Sequence, residues 1–313
     1  MSLLFTTIII VLPVFLVIGL GHLLRRLKLF DASFVQQTNR LVYVVFLPLL
    51  LFHKIGKADF ASFFNGPLVI ASSLVILCGF LLTYGYTGLR RYPAPQRGSF
   101  CQGAFRGNLA YVGLAICLNA YGDDGLTRAG ILMGFLVPVL NLFAILALLL
   151  PQPRSADDKY PNWLAQIALN PLIIASFLGI IWSYWSLPIP LIIDRALGIT
   201  SGLTLPLALL AIGGSFSLER LKGDLRLATL ASSIKLLLLP LLAAILLRLF
   251  GVSGVDFGVG VLLAATPAAT ATYIMAHQMK ADAELAGSIV MLSTLASAFS
   301  YTLILLLLNA TGL

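Results

Sequence analysis

Charge is scarce in this chain. Of 313 residues only 10% are Asp, Glu, Lys or Arg, and 59% are hydrophobic, whereas a soluble domain carries roughly 25% charged residues. That shortfall excludes a globular surface facing water on all sides, so the apolar stretches need lipid. Acids are the scarcer sign, 12 against 20 Lys and Arg, for a net charge of +8. The excess does not read as a nucleic-acid surface, because the cations are not set in stripes with interleaved aromatics. They fall in short connectors between apolar runs, as membrane anchors do. Cysteine is nearly missing as well. Cys78, Cys101 and Cys117 are odd in number and irregular in spacing, which argues against a disulfide framework or a metal site and for small packing residues. No other pattern calls for a metal or cofactor. A cleavable leader is not expected either, since no basic stretch precedes the apolar run from Leu3 to Leu24 and that run is longer than a typical leader core.

What is present is a series of long apolar runs. A hydrocarbon core ~30 Å thick takes ~20 helical residues. On that ruler spans are expected near 4–24, 34–55, 66–89, 97–120, 126–150, 163–184, 191–215, 226–248, 257–279 and 285–308. The fold class expected is therefore an all-α membrane protein with ten transmembrane helices. Connectors are short, and the longest is the polar, Pro-rich linker 151–162. One alternate set of connectors holds Arg25, Arg26, Lys28, Arg90, Arg91, Arg97, Arg154, Lys159, Arg220, Lys222, Arg226 and Lys280. The other holds only Lys54, Lys57, Arg128, Arg195 and Arg248. Twelve against five places the first set, with the linker, in the cytoplasm and both termini outside. The expected location is the cell (inner or plasma) membrane.

An internal repeat emerges at one offset. Pro13 and Gly21 recur as Pro171 and Gly179, Leu47-Pro48 as Leu205-Pro206, and Asp124 as Asp282, each 158 residues on. The halves are 1–150 and 163–313, with five spans in each. Because five is odd, the second half enters the membrane from the opposite side, giving two inverted five-helix repeats. Many secondary transporters are built in this way.

Two spans are poorly suited to continuous helix. Span 4 carries Gly103, Arg106, Gly107, Asn108 and Gly113, and Gly-Asn favours a break. Adding 158 to Asn108 reaches Thr266 in span 9, immediately before Pro267. Proline cannot donate to the helical ladder and disfavours helical backbone at the residue before it. Both points lie near the membrane midplane at 1.5 Å per residue. Paired interruptions at one depth point to a substrate site, although a plain kink at Pro267 and close helix packing at the glycines fit the same residues. Arg106 and Lys235 fall at similar depth, while all twelve acids map to loops or helix ends. Buried cations, together with half-helix N-termini that offer N–H donors, suit an anion. Lys235 could instead reach a carbonyl or snorkel to headgroups.

With those residues in hand, the sequence Phe105-Arg106-Gly107-Asn108-Leu109-Ala110-Tyr111-Val112-Gly113 resembles the fourth-helix motif of the auxin efflux carrier family. Leu47-Pro48, Leu205-Pro206 through Gly213-Gly214, Lys235 with Pro240, and Thr266-Pro267-Ala268 with Tyr273 match the family too. The resemblance implies a fold shared with bile-acid sodium symporters, in which broken helices 4 and 9 cross at the substrate. Helices 1, 2, 6 and 7 would form a scaffold, hinged near Pro48 and Pro206 and available for a homodimer. It implies elevator-type transport of a small organic anion, a mono- or dicarboxylate or an auxin-like acid. The implied binding residues are Arg106, Gly107, Asn108, Leu109, Tyr111, Lys235, Thr266, Pro267, Ala268 and Thr270.

Other functions fit the same residues. A sodium-coupled symporter would draw on neutral oxygens at Asn108, Asn141, Thr266, Thr270, Ser293 and Ser297. A sensor that binds without transporting would use the same site. An enzyme is not expected, since His22, His53 and His277 are scattered near helix ends and no paired carboxylates lie within the spans.

Overall fold

The computed structural model describes residues 3–152, 169–216 and 223–310. Linker residues 153–162, the opening turns of the sixth expected span, and the loop cations Arg154, Lys159, Arg220 and Lys222 lie outside those residues. Among the described residues the chain is all helix, with no strand beyond one isolated bridge pair. Seven helices among the described residues are long and apolar enough to cross a membrane. They are α1 (Leu3–Arg26), α2 (Ala32–Lys57), α3 (Gly66–Leu89), α5 (Leu109–Leu149), α7 (Leu191–Gly214), α8 (Leu225–Leu249) and α11 (Ala283–Ala310). Between them fall α4 (Ala94–Phe105), α6 (Pro171–Tyr184), α9 (Gly254–Ala264) and α10 (Ala271–Gln278).

Seven long helices differ from ten expected spans for local reasons in spans 4, 5 and 9, while the opening turns of span 6 lie outside the described residues. The run α5 has 41 residues, ~60 Å at helical rise and far more than one crossing needs. It holds the second part of expected span 4 together with expected span 5, joined at Gly122, whose φ of 63° and ψ of −152° turn the chain beside Asp123 and Asp124. Spans 4 and 9 are shortened by real interruptions, at 106–108 and 265–270. Proline shapes two more helices. Short π-helical segments, Val42–Phe46 and Ile234–Leu238, end two residues before Pro48 and Pro240, where a wider turn makes room for the ring and the missing donor.

The chain divides into two compact units, each drawn from both halves of the sequence. Unit 1 comprises Met1–Gly66, Ala110–Val137 and Ala168–Phe216. Its helices pack in two extensive pairs, α1 with α7 and α2 with α6. Small residues permit the approach, as in membranes generally, where lipid tails are as apolar as the helices. A side chain at Gly21 would run into the Leu210 carbonyl, and one at Gly179 would meet Ile55 and the Phe52 backbone. Large apolar residues such as Leu16, 61% exposed, cover the outer face of α1. Polar ties sit at helix ends. Asp194 binds His53 Nε2 at 2.8 Å and Lys57 Nζ at 2.9 Å, while Lys54 meets Asp123 at 2.7 Å.

Unit 2 comprises Pro67–Leu109, Pro138–Ile167 and Ser217–Leu313. Its centre is a cluster of Phe100, Ala104, Ala228, Ala231, Ala268, Leu285 and Ile289 from α4, α8, α11 and the second interruption. Alanines on α8 let α4 and α11 settle close, and Gly103 leaves the space that Ile289 occupies.

Candidate functional site

The site is built from two chain interruptions in unit 2. Helix α4 ends at Phe105, and Arg106 turns to extended backbone with φ −77° and ψ 100°. Helix α9 ends at Ala264, and non-helical chain through Thr266 and Pro267 continues to α10. Interrupting a helix in a lipid-facing protein strands main-chain donors and acceptors, each costing several kcal/mol if left bare. Here each interruption satisfies the other. The Asn108 N–H donates to the Pro267 carbonyl at 2.8 Å, and the Ala269 N–H donates to the Arg106 carbonyl at 3.0 Å. Gly107 and Ala268 face each other as an antiparallel bridge pair. The Ala268 N–H then donates to the Ser293 hydroxyl oxygen of α11 at 3.0 Å.

Gly107 is required by closeness. A Cβ there would run into the Thr266 hydroxyl and lie 3.2 Å from both Cε and Nζ of Lys235. Thr266 itself is fully buried and donates its hydroxyl to the Leu263 carbonyl at 2.8 Å. Lys235, only 2% exposed, donates to the Ala264 carbonyl at 2.6 Å. This is the carbonyl alternative that the sequence left open. The ammonium sits on the negative end of α9, where a cation is favoured, and lies beside the bridge.

Arg106 and Asn108 are each 8% exposed. The Arg106 guanidinium donates to Asn141 Oδ1 at 2.8 Å and to the Met275 sulfur. Both of these partners are neutral side chains. The nine acids among the described residues keep to helix ends. Asp31, Asp59, Asp224 and Asp282 cap helix starts. Asp194, Asp256 and Glu284 lie in first turns, and Asp123 and Asp124 follow the Gly122 bend.

The structure thus gathers Arg106, Gly107, Asn108, Leu109, Lys235, Thr266, Pro267 and Ala268 in one unit, with Thr270 at the N-cap of α10. Tyr111, Pro48 and Pro206 belong to the other unit, where the Tyr111 hydroxyl donates to the Asn39 carbonyl at 3.3 Å. The sequence did not reveal the roles of Asn141, Ser293 and Met275. Asn141 was visible as a polar residue in an apolar run, but nothing local marks Met275 as a partner for arginine.

Helices with lipid-suited faces, two of them interrupted and joined through main-chain hydrogen bonds beside buried cations, define a multi-pass membrane protein with a polar centre. The chain belongs to the family described as membrane transport protein, whose profile matches residues 6–305, and the resemblance to auxin efflux carriers is to this same family. It is 27% identical to an uncharacterized transporter of Methanothermobacter thermautotrophicus over 296 residues, covering 94% of this chain and 95% of that one. It is 26% identical over 318 residues to a Rhizobium meliloti protein named "Putative malonate transporter", with 97% and 96% covered. An uncharacterized transporter of Methanocaldococcus jannaschii shares 23% over 296 residues, with 91% and 93% covered.

Proposed function

We propose that the chain is a secondary transporter of a small organic anion, a mono- or dicarboxylate, bound beside the crossing of the interrupted helices. The crossing carries this reading, because it sets two buried cations and the freshly started turns at Leu109 and Ala271 in one polar centre. N–H groups at helix starts and a buried guanidinium favour a carboxylate. The Rhizobium relative, whose name carries malonate, supports a dicarboxylate. Asn108 binds the carboxylate in this reading, Arg106 raises the local potential, and Lys235 adds charge while steadying α9.

The same reading includes ten spans in two inverted repeats and elevator-type movement of the unit that carries the crossing. One packing relation supports the repeat. Gly21 meets Leu210, and adding and subtracting 158 gives Gly179 and Phe52, which also meet. A sodium-coupled variant is less supported, because Asn141 Oδ1 already accepts from a guanidinium.

The test is calorimetric titration of the purified protein with malonate. Asn108→Ala keeps the main-chain bridge and removes a hydrogen bond to a charged group, worth ~1.5–3 kcal/mol. Affinity is expected to fall roughly ten- to a hundredfold, with matching loss of uptake into sealed vesicles. Unchanged affinity would move the site away from the crossing, and binding without uptake would make the protein a sensor.

A further inference from the structure

Unit 2 has a second concavity, away from the crossing. A groove of about 660 Å³ runs between α8, α9 and α11, walled by Leu237, Leu241, Ile245, Phe257, Leu303 and Leu307. Among its lining residues Arg248 is the one charged or polar side chain, and it sits at the end of α8. The guanidinium lies over the Phe257 ring at 5.0 Å, a cation–π contact that holds it at the groove mouth and leaves its edge donors for a ligand.

The dimensions select among occupants. Leu236 and Arg248 both line the groove, and their separation along α8 is ~18 Å at helical rise. That matches one leaflet, about half of a ~30 Å hydrocarbon core. Helix pairing in membranes favours small residues, whereas these rims carry Leu237, Leu241 and Leu307, each more than half exposed. A long apolar cleft with one cation at its mouth fits an acyl chain with one anionic head.

We propose that this groove binds one anionic phospholipid, an acyl chain lying between α8, α9 and α11 and its phosphate on the Arg248 guanidinium. Arginine suits this because its planar fork meets two phosphate oxygens at once. One wall is α9, whose far end Lys235 clamps at the crossing, so the lipid braces a helix of the transport site.

Native mass spectrometry of the purified protein tests this with equimolar phosphatidylglycerol and phosphatidylcholine of identical acyl chains. One cation near the surface predicts about a fivefold preference for the anionic lipid. Arg248→Gln is expected to bring the ratio close to one, while Arg248→Lys keeps most of it. Ala244→Trp, which fills the groove, is expected to lower retention of both lipids. Equal retention by the unaltered protein, a preference that survives Arg248→Gln, or a bound mass equal to a second copy of the chain would each overturn the proposal. Malonate affinity is measured on the same samples, so a failure here is distinguishable from failure of the transport site.

Discussion

At Gly107 the distance between two interrupted helices is set by a methyl group that is not there. A Cβ at this position would strike the Thr266 hydroxyl and crowd Lys235, and overpacking of that kind costs ~1–3 kcal/mol. Gly107→Ala is expected to lower both thermal stability and malonate affinity. Adding Thr266→Ala removes the oxygen that the new methyl meets, so the double variant is expected to recover part of the loss. Simple additivity of the two losses in a thermal-shift cycle would mean that the bridge is not the constraint. Thr266→Ala alone is expected to cost less affinity than Asn108→Ala, since its hydroxyl is engaged with the Leu263 carbonyl. Arg106→Gln tests charge rather than space. It keeps a donor but removes a positive charge, so malonate is expected to weaken more than the monoanion acetate. Equal weakening, read by calorimetry, would assign Arg106 to packing. Of these relations, Gly107, Asn108 and Thr266 were legible from residue type, since Gly-Asn and Thr-Pro disfavour helix wherever they stand. The closeness of Lys235, 3.2 Å from where a Cβ on Gly107 would sit, was not, because it depends on a helix from elsewhere in the chain.

At the scale of a helix, two glycines two residues apart, and so on nearly opposite faces, separate packing from propensity. Gly19 of α1 has open space where a Cβ would sit, whereas Gly21 faces the Leu210 carbonyl of α7. Gly19→Ala is therefore expected to be neutral or to stabilise by up to ~1 kcal/mol, as alanine does within a helix. Gly21→Ala is expected to lower the melting temperature in detergent, because backbone cannot move aside as a side chain can. Similar effects at both positions would contradict the α1–α7 pairing. The sequence marked Gly21 through its offset mate Gly179 but could not say which helix each would meet. A related case is His53. Read along the chain it stands near a helix end without a partner, yet folding brings Asp194, 141 positions away, to 2.8 Å. No periodicity carries that information.

For the molecule as a whole, the charge bias makes orientation testable. Single cysteines in a cysteine-free background are expected to react from outside at position 123, and at position 90 only after permeabilisation. The reverse pattern would invert the topology. The acids give a second test at this scale. Asp123, Asp124, Asp256 and Asp282 occupy helix ends, so neutralising each singly is expected to leave substantial uptake. Abolished proton coupling in one folded variant would assign that acid to the transport cycle.

Sequence alone determined that this chain needs lipid, that it is helical, and where its helices would fail. Those properties follow from apolar run length, scarcity of charge, and the backbone limits of Gly-Asn and Thr-Pro, all of them local. Only tertiary structure decided how the failures are made good. The two interruptions exchange main-chain hydrogen bonds between Arg106, Asn108, Pro267 and Ala269. Ser293 completes the bridge from a third helix, and Lys235 settles on the Ala264 carbonyl rather than reaching toward headgroups. The reason is physical. With no water in the bilayer core, an interrupted helix must find its partners elsewhere in the protein, and sequence neighbours cannot supply them.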